Sequence, residues 1–123
     1  MLILKLPFPP SVNHYYRRVG HKTLISRRGR AYREAVSELL ATLKIEPLNG
    51  PLNLSIGLFP PDRRKRDIDN FLKCLLDALQ HAGVFHDDCQ VIRLEISKNE
   101  PVKDGKVIVC LREQKRSNPH ANL

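Results

Sequence analysis

Tryptophan is missing from this chain, methionine occurs once, and aromatic residues make up only 6% of it. A core with so few large rings has to be assembled mainly from aliphatic side chains on a small scaffold. The three cysteines, Cys74, Cys89 and Cys110, are odd in number and show no C-x-x-C spacing. That argues against a disulfide framework and against a zinc site, and leaves Cys74 and Cys110, both in apolar surroundings, as small core residues. No apolar run approaches the roughly 18 residues of a membrane span. Leu2 to Leu6 is too short and too interrupted for a signal peptide. The expected setting is therefore the cytoplasm, with no membrane partner. Acidic residues are also in short supply, 13 against 21 basic ones, for a formal net charge of +8.

Such an excess of cations favours an anionic polymer as partner, nucleic acid first. The cations are clustered: Arg17-Arg18, Arg27-Arg28 with Arg30 and Arg33, and Arg63-Arg64-Lys65-Arg66. At 123 residues and 41% hydrophobic content the chain fits one domain with a small core. Leu2, Leu4 and Leu6 alternate with Ile3 and Lys5 as a first strand closed by Pro7, and Pro9-Pro10-Ser11 opens a loop to about residue 22. A short strand at 23–25 leads to Ser26, an N-cap for a helix over roughly 27–45. Its apolar stripe is Tyr32, Ala35, Val36, Leu39 and Leu43, with Gly29 weakening the first turn. Leu52, Leu54, Ile56 and Leu58 mark a half-buried strand. A second helix spans about 68–82, with Phe71, Leu72, Leu75, Leu76 and Leu79 on one arc and Asp69, Lys73, Asp77 and Gln80 on the other. Gly83 stops it. Ile92, Leu94 and Ile96 form another strand, and Asp104-Gly105 is a hairpin turn into a last one at 106–112. The pattern predicts a single α+β domain over 1–113, a mixed sheet of about four or five strands on two main helices. Residues 114–123, polar and basic with Pro119, read as a flexible tail.

The run Arg63-Arg64-Lys65-Arg66-Asp67-Ile68-Asp69-Asn70 carries the chemistry. Cations neutralise phosphate, whereas clustered carboxylates repel one another unless a divalent ion lies between them. Asp67 and Asp69, at i and i+2 on extended chain, project to the same side. Asp87-Asp88 follows the second helix. Asp67, Asp69 and Asp88 around Mg²⁺ would polarise a phosphodiester and acidify an attacking water, the outline of a nuclease. The plainer alternative makes one aspartate an N-cap, one a solvated loop acid and Asp87-Asp88 a polar turn. Lys73, one turn beyond Asp69, is either half of an i, i+4 ion pair or an ammonium facing the transition state. Tyr15, Tyr16, Arg17 and Arg18 suit stacking on unpaired bases and contacts to phosphate, with core packing by a tyrosine as the alternative. His86 reads as a surface residue.

These residues are familiar as a set. Pro9-Pro10-Ser11-Val12-Asn13-His14-Tyr15-Tyr16-Arg17, Pro61-Asp62 with the run to Asn70, Lys73, Asp77-Ala78-Leu79, Ala82-Gly83 and Asp87-Asp88-Cys89-Gln90-Val91 resemble the RusA family of Holliday junction resolvases. These are small endodeoxyribonucleases typical of bacteria and their prophages, and the likeness spans all but the tail. It implies a mixed-sheet homodimer that binds four-way DNA junctions and nicks opposing strands with Mg²⁺, Mn²⁺ substituting, in recombination and repair. The family's essential aspartates fall on Asp67, Asp69 and Asp88 and its catalytic lysine on Lys73. Asp87 and Asn70 stand as supporting residues, and Arg63, Arg64, Lys65, Arg66, Tyr15, Tyr16, Arg17 and Arg18 as DNA-binding ones. His86 replaces an apolar residue of the family pattern and Cys89 a small one. Two other readings stay open: a general branched-DNA or flap nuclease, and a DNA-binding module without catalysis.

Overall fold

The computed structural model describes residues 1–114; all but the first residue of the expected tail lies outside the described residues. In chain order the elements are β1 (Leu2–Leu6), the single-turn helix α1 (Val12–Tyr15), β2 (Tyr16–Val19), β3 (Lys22–Ile25), α2 (Arg27–Ala41) and β4 (Leu52–Phe59). A 3₁₀ turn (Ile68–Phe71) runs into α3 (Leu72–His81), and a second 3₁₀ turn (Asp88–Gln90) opens β5 (Val91–Lys98), before β6 (Lys106–Glu113). The α+β class and the four-stranded mixed sheet match the expectation.

Alternation decides the layering. Leu52, Leu54, Ile56 and Leu58 of β4 are buried, as are Leu4 and Leu6 of β1 and Val107, Val109 and Leu111 of β6. Together they form one apolar face, which α3 covers with Cys74, Leu75, Ala78 and Leu79 and α2 with Tyr32, Val36 and Leu40. Each aliphatic side chain fully removed from water contributes about 1.5–3 kcal/mol. The strand order is β1-β6-β4-β5, antiparallel except for the parallel β4–β5 pair. Parallel neighbours need a long crossover. Here it carries the basic-acidic run, α3 and Asp87-Asp88, so the topology suspends every candidate catalytic residue between two adjacent strands.

Several expectations are corrected. Residues 16–25 form a β-hairpin rather than a loop with one short strand, pairing Tyr16 with Ile25 and Val19 with Lys22, and Gly20 turns it at φ 61°. Helix α2 ends at Ala41, where the Thr42 hydroxyl donates to the Leu39 carbonyl at 2.9 Å. Its buried line is Tyr32, Val36 and Leu40, and Ala35, Leu39 and Leu43 are exposed. The Tyr32 hydroxyl, donating to the Pro7 carbonyl at 2.8 Å, sets that rotation of the helix. The turn at Asp104-Gly105 forms, but β6 pairs with β1 and β4 rather than with β5, because β4 occupies the place between them. Strand β5 forms as expected and lies at the sheet edge, with its Ile92 and Leu94 exposed.

Gly29 proves to be a packing requirement. Ser26 caps α2 by accepting the Gly29 amide at 3.0 Å, and the Ser26 amide in turn donates to the Tyr15 carbonyl at 2.8 Å. A Cβ on Gly29 would collide with that carbonyl and come within 2.7 Å of Ile25 Cγ1. Gly→Ala in a helix ordinarily stabilises by about 1 kcal/mol. Gly29→Ala is expected to destabilise instead, by about 1–3 kcal/mol in urea unfolding, the usual cost of overpacking. A stabilised variant would show that α1 has room to retreat.

Candidate active site

The acidic side chains around the crossover fall into two groups. Asp62 is tied: its carboxylate holds the Arg66 guanidinium at 2.8 Å, accepts the Arg64 amide at 3.0 Å and stands 3.7 Å from the Arg64 side chain. Arg66 leads in holding that carboxyl below the usual range. Asp77 is tied as well. One of its oxygens accepts from the Tyr15 hydroxyl and from Arg33 Nε and Nη2, at 3.0 and 2.7 Å for the arginine. Asp87 is the third. It heads a capping box, accepting the Cys89 amide at 2.8 Å while Gln90 Oε1 takes the Asp87 and His86 amides. The Cys89 amide draws the Asp87 carboxyl below its ordinary value.

Asp67, Asp69 and Asp88 behave differently. Asp67 occupies the N-cap position of the first 3₁₀ turn, yet its side chain makes no cap hydrogen bond. All three carboxylates are exposed, and none belongs to an ion pair among the described residues. Lys73 is exposed on α3, and the i, i+4 pairing with Asp69 or Asp77 does not form. The acids left free are thus the ones the motif singled out, although cations stand beside them in the chain.

The carboxylates do not converge as the sequence suggested. Asp67 and Asp69 precede α3 and Asp88 follows it, held by its amide donating to Gln80 Oε1 at 3.0 Å. Among the described residues no three His, Cys, Asp or Glu side chains stand close enough to hold one ion. The donor set itself, exposed carboxylate oxygens without competing cations, suits a hard oxygen-seeking ion.

The basic residues divide in the same manner. Arg66 is half-buried, its Nη1 donating to the carbonyls of Asp62 and Arg64 at 3.1 and 3.3 Å, with its guanidinium 5.8 Å from the centre of the Phe8 ring. These contacts shape the loop, and Arg66 also lines the groove described below. Arg33 leaves the basic patch, taken by Asp77. Lys65 and Arg64 are exposed, and Arg63 reaches Glu100 at 3.1 Å in fully wet surroundings. Arg28, Arg64, Lys65 and Arg66 line a groove of about 910 Å³ together with Phe8, Pro10, Asp67 and Asn70. Arg17 and Arg18 are exposed on the hairpin.

Tyr15 is completely buried, its phenol pushed to high pKa by burial and then by Asp77, so the expected contact with DNA is corrected to a core role. Tyr16 is half-buried, set edge-on to Tyr15 at 4.8 Å between ring centres. Burial raises the pKa of its phenol first, with Asp77 and Cys74 adding to the effect. His86 is exposed, as the sequence implied, and is bonded to Asn49 Oδ1 at 2.9 Å. Sequence reasoning missed the tie from Arg33 through Asp77 to Tyr15. Its only trace was a basic and an acidic residue on two amphipathic helices, which many chains share.

Known proteins resemble this chain over most of its length. The family model described as Endodeoxyribonuclease RusA matches residues 7–112. A crossover junction endodeoxyribonuclease RusA of Shigella sonnei is 38% identical over 111 residues, covering 89% of this chain and 92% of the relative. The protein of the same name from Escherichia coli K12 is 37% identical over the same shares, and that of Enterobacteria phage 82 is 38% identical. The matched span contains the unpaired aspartates, Lys73 and the groove, and the chain belongs to the RusA endodeoxyribonuclease family.

Proposed function

We propose that this chain is a divalent-metal-dependent, structure-selective endodeoxyribonuclease that acts as a homodimer on four-way DNA junctions, nicking two opposed strands. The observation that carries the reading is the sorting of charge. Asp62, Asp77 and Asp87 are consumed by the fold, while Asp67, Asp69 and Asp88 are left without cation partners among the described residues, and Asp67 lines a groove together with basic groups. The names of the relatives, crossover junction endodeoxyribonucleases, supply the substrate class.

Asp67, Asp69 and Asp88 are the oxygen donors that would hold Mg²⁺, or Mn²⁺ in its place. When bound, the ion supplies Lewis acidity toward the phosphate and acidifies water. Lys73 offers an unpaired ammonium on the helix that follows Asp69, suited to the negative charge that grows on the phosphate oxygens. Arg64, Lys65 and Arg28 hold the strand in the groove through its phosphates, contacts that position DNA without reading its sequence. Arg17 and Arg18 extend that surface along the hairpin. Each chain bears one acidic set, and a four-way junction has approximate two-fold symmetry, so an isologous dimer supplies two sets at related phosphates.

Asp69→Asn removes a metal-ligating charge at constant size. Cleavage of a synthetic four-way junction should fall at least about 100-fold while junction binding persists, the signature of a group used in the transition state. Lys73→Ala should likewise lower turnover more than affinity. Near-normal cleavage by Asp69→Asn would make that residue a mere helix-start acid and remove the metal reading with it.

Salt separates the two kinds of arginine. Arg64→Ala or Lys65→Ala should reduce the slope of log K against log salt by about one unit for each phosphate no longer neutralised. Arg66→Ala should leave that slope nearly unchanged and lower stability, because its guanidinium closes the loop. Equal slopes for all three variants would place the DNA elsewhere.

A further inference from the structure

The β2–β3 hairpin carries more than cations. It forms a two-stranded sheet of its own, apart from the four-stranded one. Isolated hairpins are marginal in water, so this one depends on its root. There Tyr16 and Ile25 pack against the core, and the Ser26 amide donates to the Tyr15 carbonyl at 2.8 Å. The Ser26 hydroxyl adds a bond to the His14 carbonyl. Opposed residues of an antiparallel pair share a face, and successive residues alternate. The pairs Tyr16–Ile25 and Arg18–Thr23 therefore take the face that holds the root, and Arg17–Leu24 and Val19–Lys22 take the outer one. On that outer face Val19 is 49% and Leu24 39% exposed. Each stands opposite a cation, so the two apolar side chains meet only on the diagonal, roughly 7–8 Å apart. Cross-strand packing within the hairpin leaves them largely in water.

The charge around this patch selects its occupant. No Asp or Glu precedes Glu34 in the sequence, whereas Arg17, Arg18, Lys22, Arg27 and Arg28 all lie in that stretch. None of these five belongs to an ion pair among the described residues. A surface that is apolar at its centre and cationic around it fits a polyanion that also offers apolar area, which is the chemistry of nucleic acid. A linear duplex presents phosphates and groove edges and keeps the flat faces of its bases stacked. Where the arms of a junction meet, stacking is interrupted and the face of a base pair opens. Apolar side chains placed against unstacked base steps are a known means of holding DNA in a distorted form.

We propose that the outer face of the hairpin reads the branch point of the DNA. Val19 and Leu24 seat against a base pair exposed where the arms meet, while Arg17 and Lys22 hold the phosphates on either side. The proposal rests on the junction-nuclease reading and adds to it the residues that tell a junction from a linear duplex. The chain places the two surfaces next to one another. Strand β3 ends at Ile25, and Arg28, in the first turn of α2, already lines the groove with Asp67. At about 3.3 Å per residue the hairpin tip stands roughly 10 Å beyond its root, the height of about three stacked bases. The cations grip any DNA, and the apolar pair discriminates.

The test measures binding of the full chain to a synthetic four-way junction and to a linear duplex of the same sequence, with a chelator present so that neither is cut. Val19→Thr combined with Leu24→Gln removes the apolar surface and keeps a β-branched residue at the tip. This double variant should weaken junction binding by about tenfold or more and leave duplex binding unchanged. Its salt slope should also stay the same, because no phosphate contact is lost. Val19→Phe enlarges the apolar tip and should tighten junction binding by about threefold or more, again without effect on the duplex. A fluorescent purine analogue at the branch should change its emission when the wild-type chain binds, and change less with the double variant. Circular dichroism and melting curves confirm that the variants fold. Equal loss on both DNAs, or loss on neither, overturns the branch reader and leaves the junction-nuclease reading standing. A changed sedimentation coefficient with junction affinity intact does the same, and gives the patch to a second copy of the chain. A wild-type chain that neither prefers the junction nor cuts it overturns both readings.

Discussion

A single carboxylate, that of Asp77, decides how the three helices meet. It accepts the Tyr15 hydroxyl from α1 and two nitrogens of Arg33 from α2, while its own backbone belongs to α3. Charge-assisted bonds of this kind are about twice as strong as neutral ones, and the pair is two-thirds shielded from water. Arg33 also donates to the Tyr15 oxygen at 3.0 Å, closing a triangle of three side chains. From that triangle the rest follows. Tyr15 is pinned inside, so Tyr16 begins the hairpin at a fixed height. Gly29 lets α2 approach the Tyr15 carbonyl, and α3 is oriented so that Lys73 and the preceding Asp69 face outward.

The same economy explains why the site is recognisable. A basic protein has cations to spare, and an exposed acid near them ordinarily finds one. Asp62, Asp77 and Asp87 do find partners, or a backbone amide, and each of those contacts shapes a loop or fixes a helix. Asp67, Asp69 and Asp88 belong to no ion pair among the described residues, although the exposed Lys65 and Lys73 stand near them in the chain. Keeping acids bare next to a phosphate-binding surface disfavours the DNA complex unless a divalent ion offsets the repulsion. On the proposed function, affinity for DNA would be coupled to metal binding through charge.

Much of this was readable in the residues. Period-two alternation marked β1 and β4 because each buries one face, and Ser26 marked the start of α2 because its hydroxyl satisfies an orphan amide. The motif from Asp67 to Lys73 stood out because no structural requirement calls for two closely spaced aspartates there. What escaped were choices made by tertiary contact. Asp69 and Asp77 look alike on a helical wheel, and only the approach of Arg33 turns one of them into a structural tie. Tyr15 and Tyr16 are adjacent and chemically identical, yet one is wholly buried and the other half so. Leu39 and Leu43 fit an apolar stripe as well as Leu40 does, and the Tyr32 bond to Pro7 settles which side turns inward. In β5 the alternation was real, but its apolar side lies uncovered in the single chain.

The central claim is that unpaired carboxylates and a basic groove make a metal-dependent cutter of branched DNA. The most direct measurement is nick mapping on a four-way junction and on a linear duplex of the same sequence, each with Mg²⁺ and with a chelator. The account predicts symmetric nicks on two opposed strands of the junction, only with the ion, and an intact duplex. Equal cutting of the duplex, or cutting that survives the chelator, would contradict it.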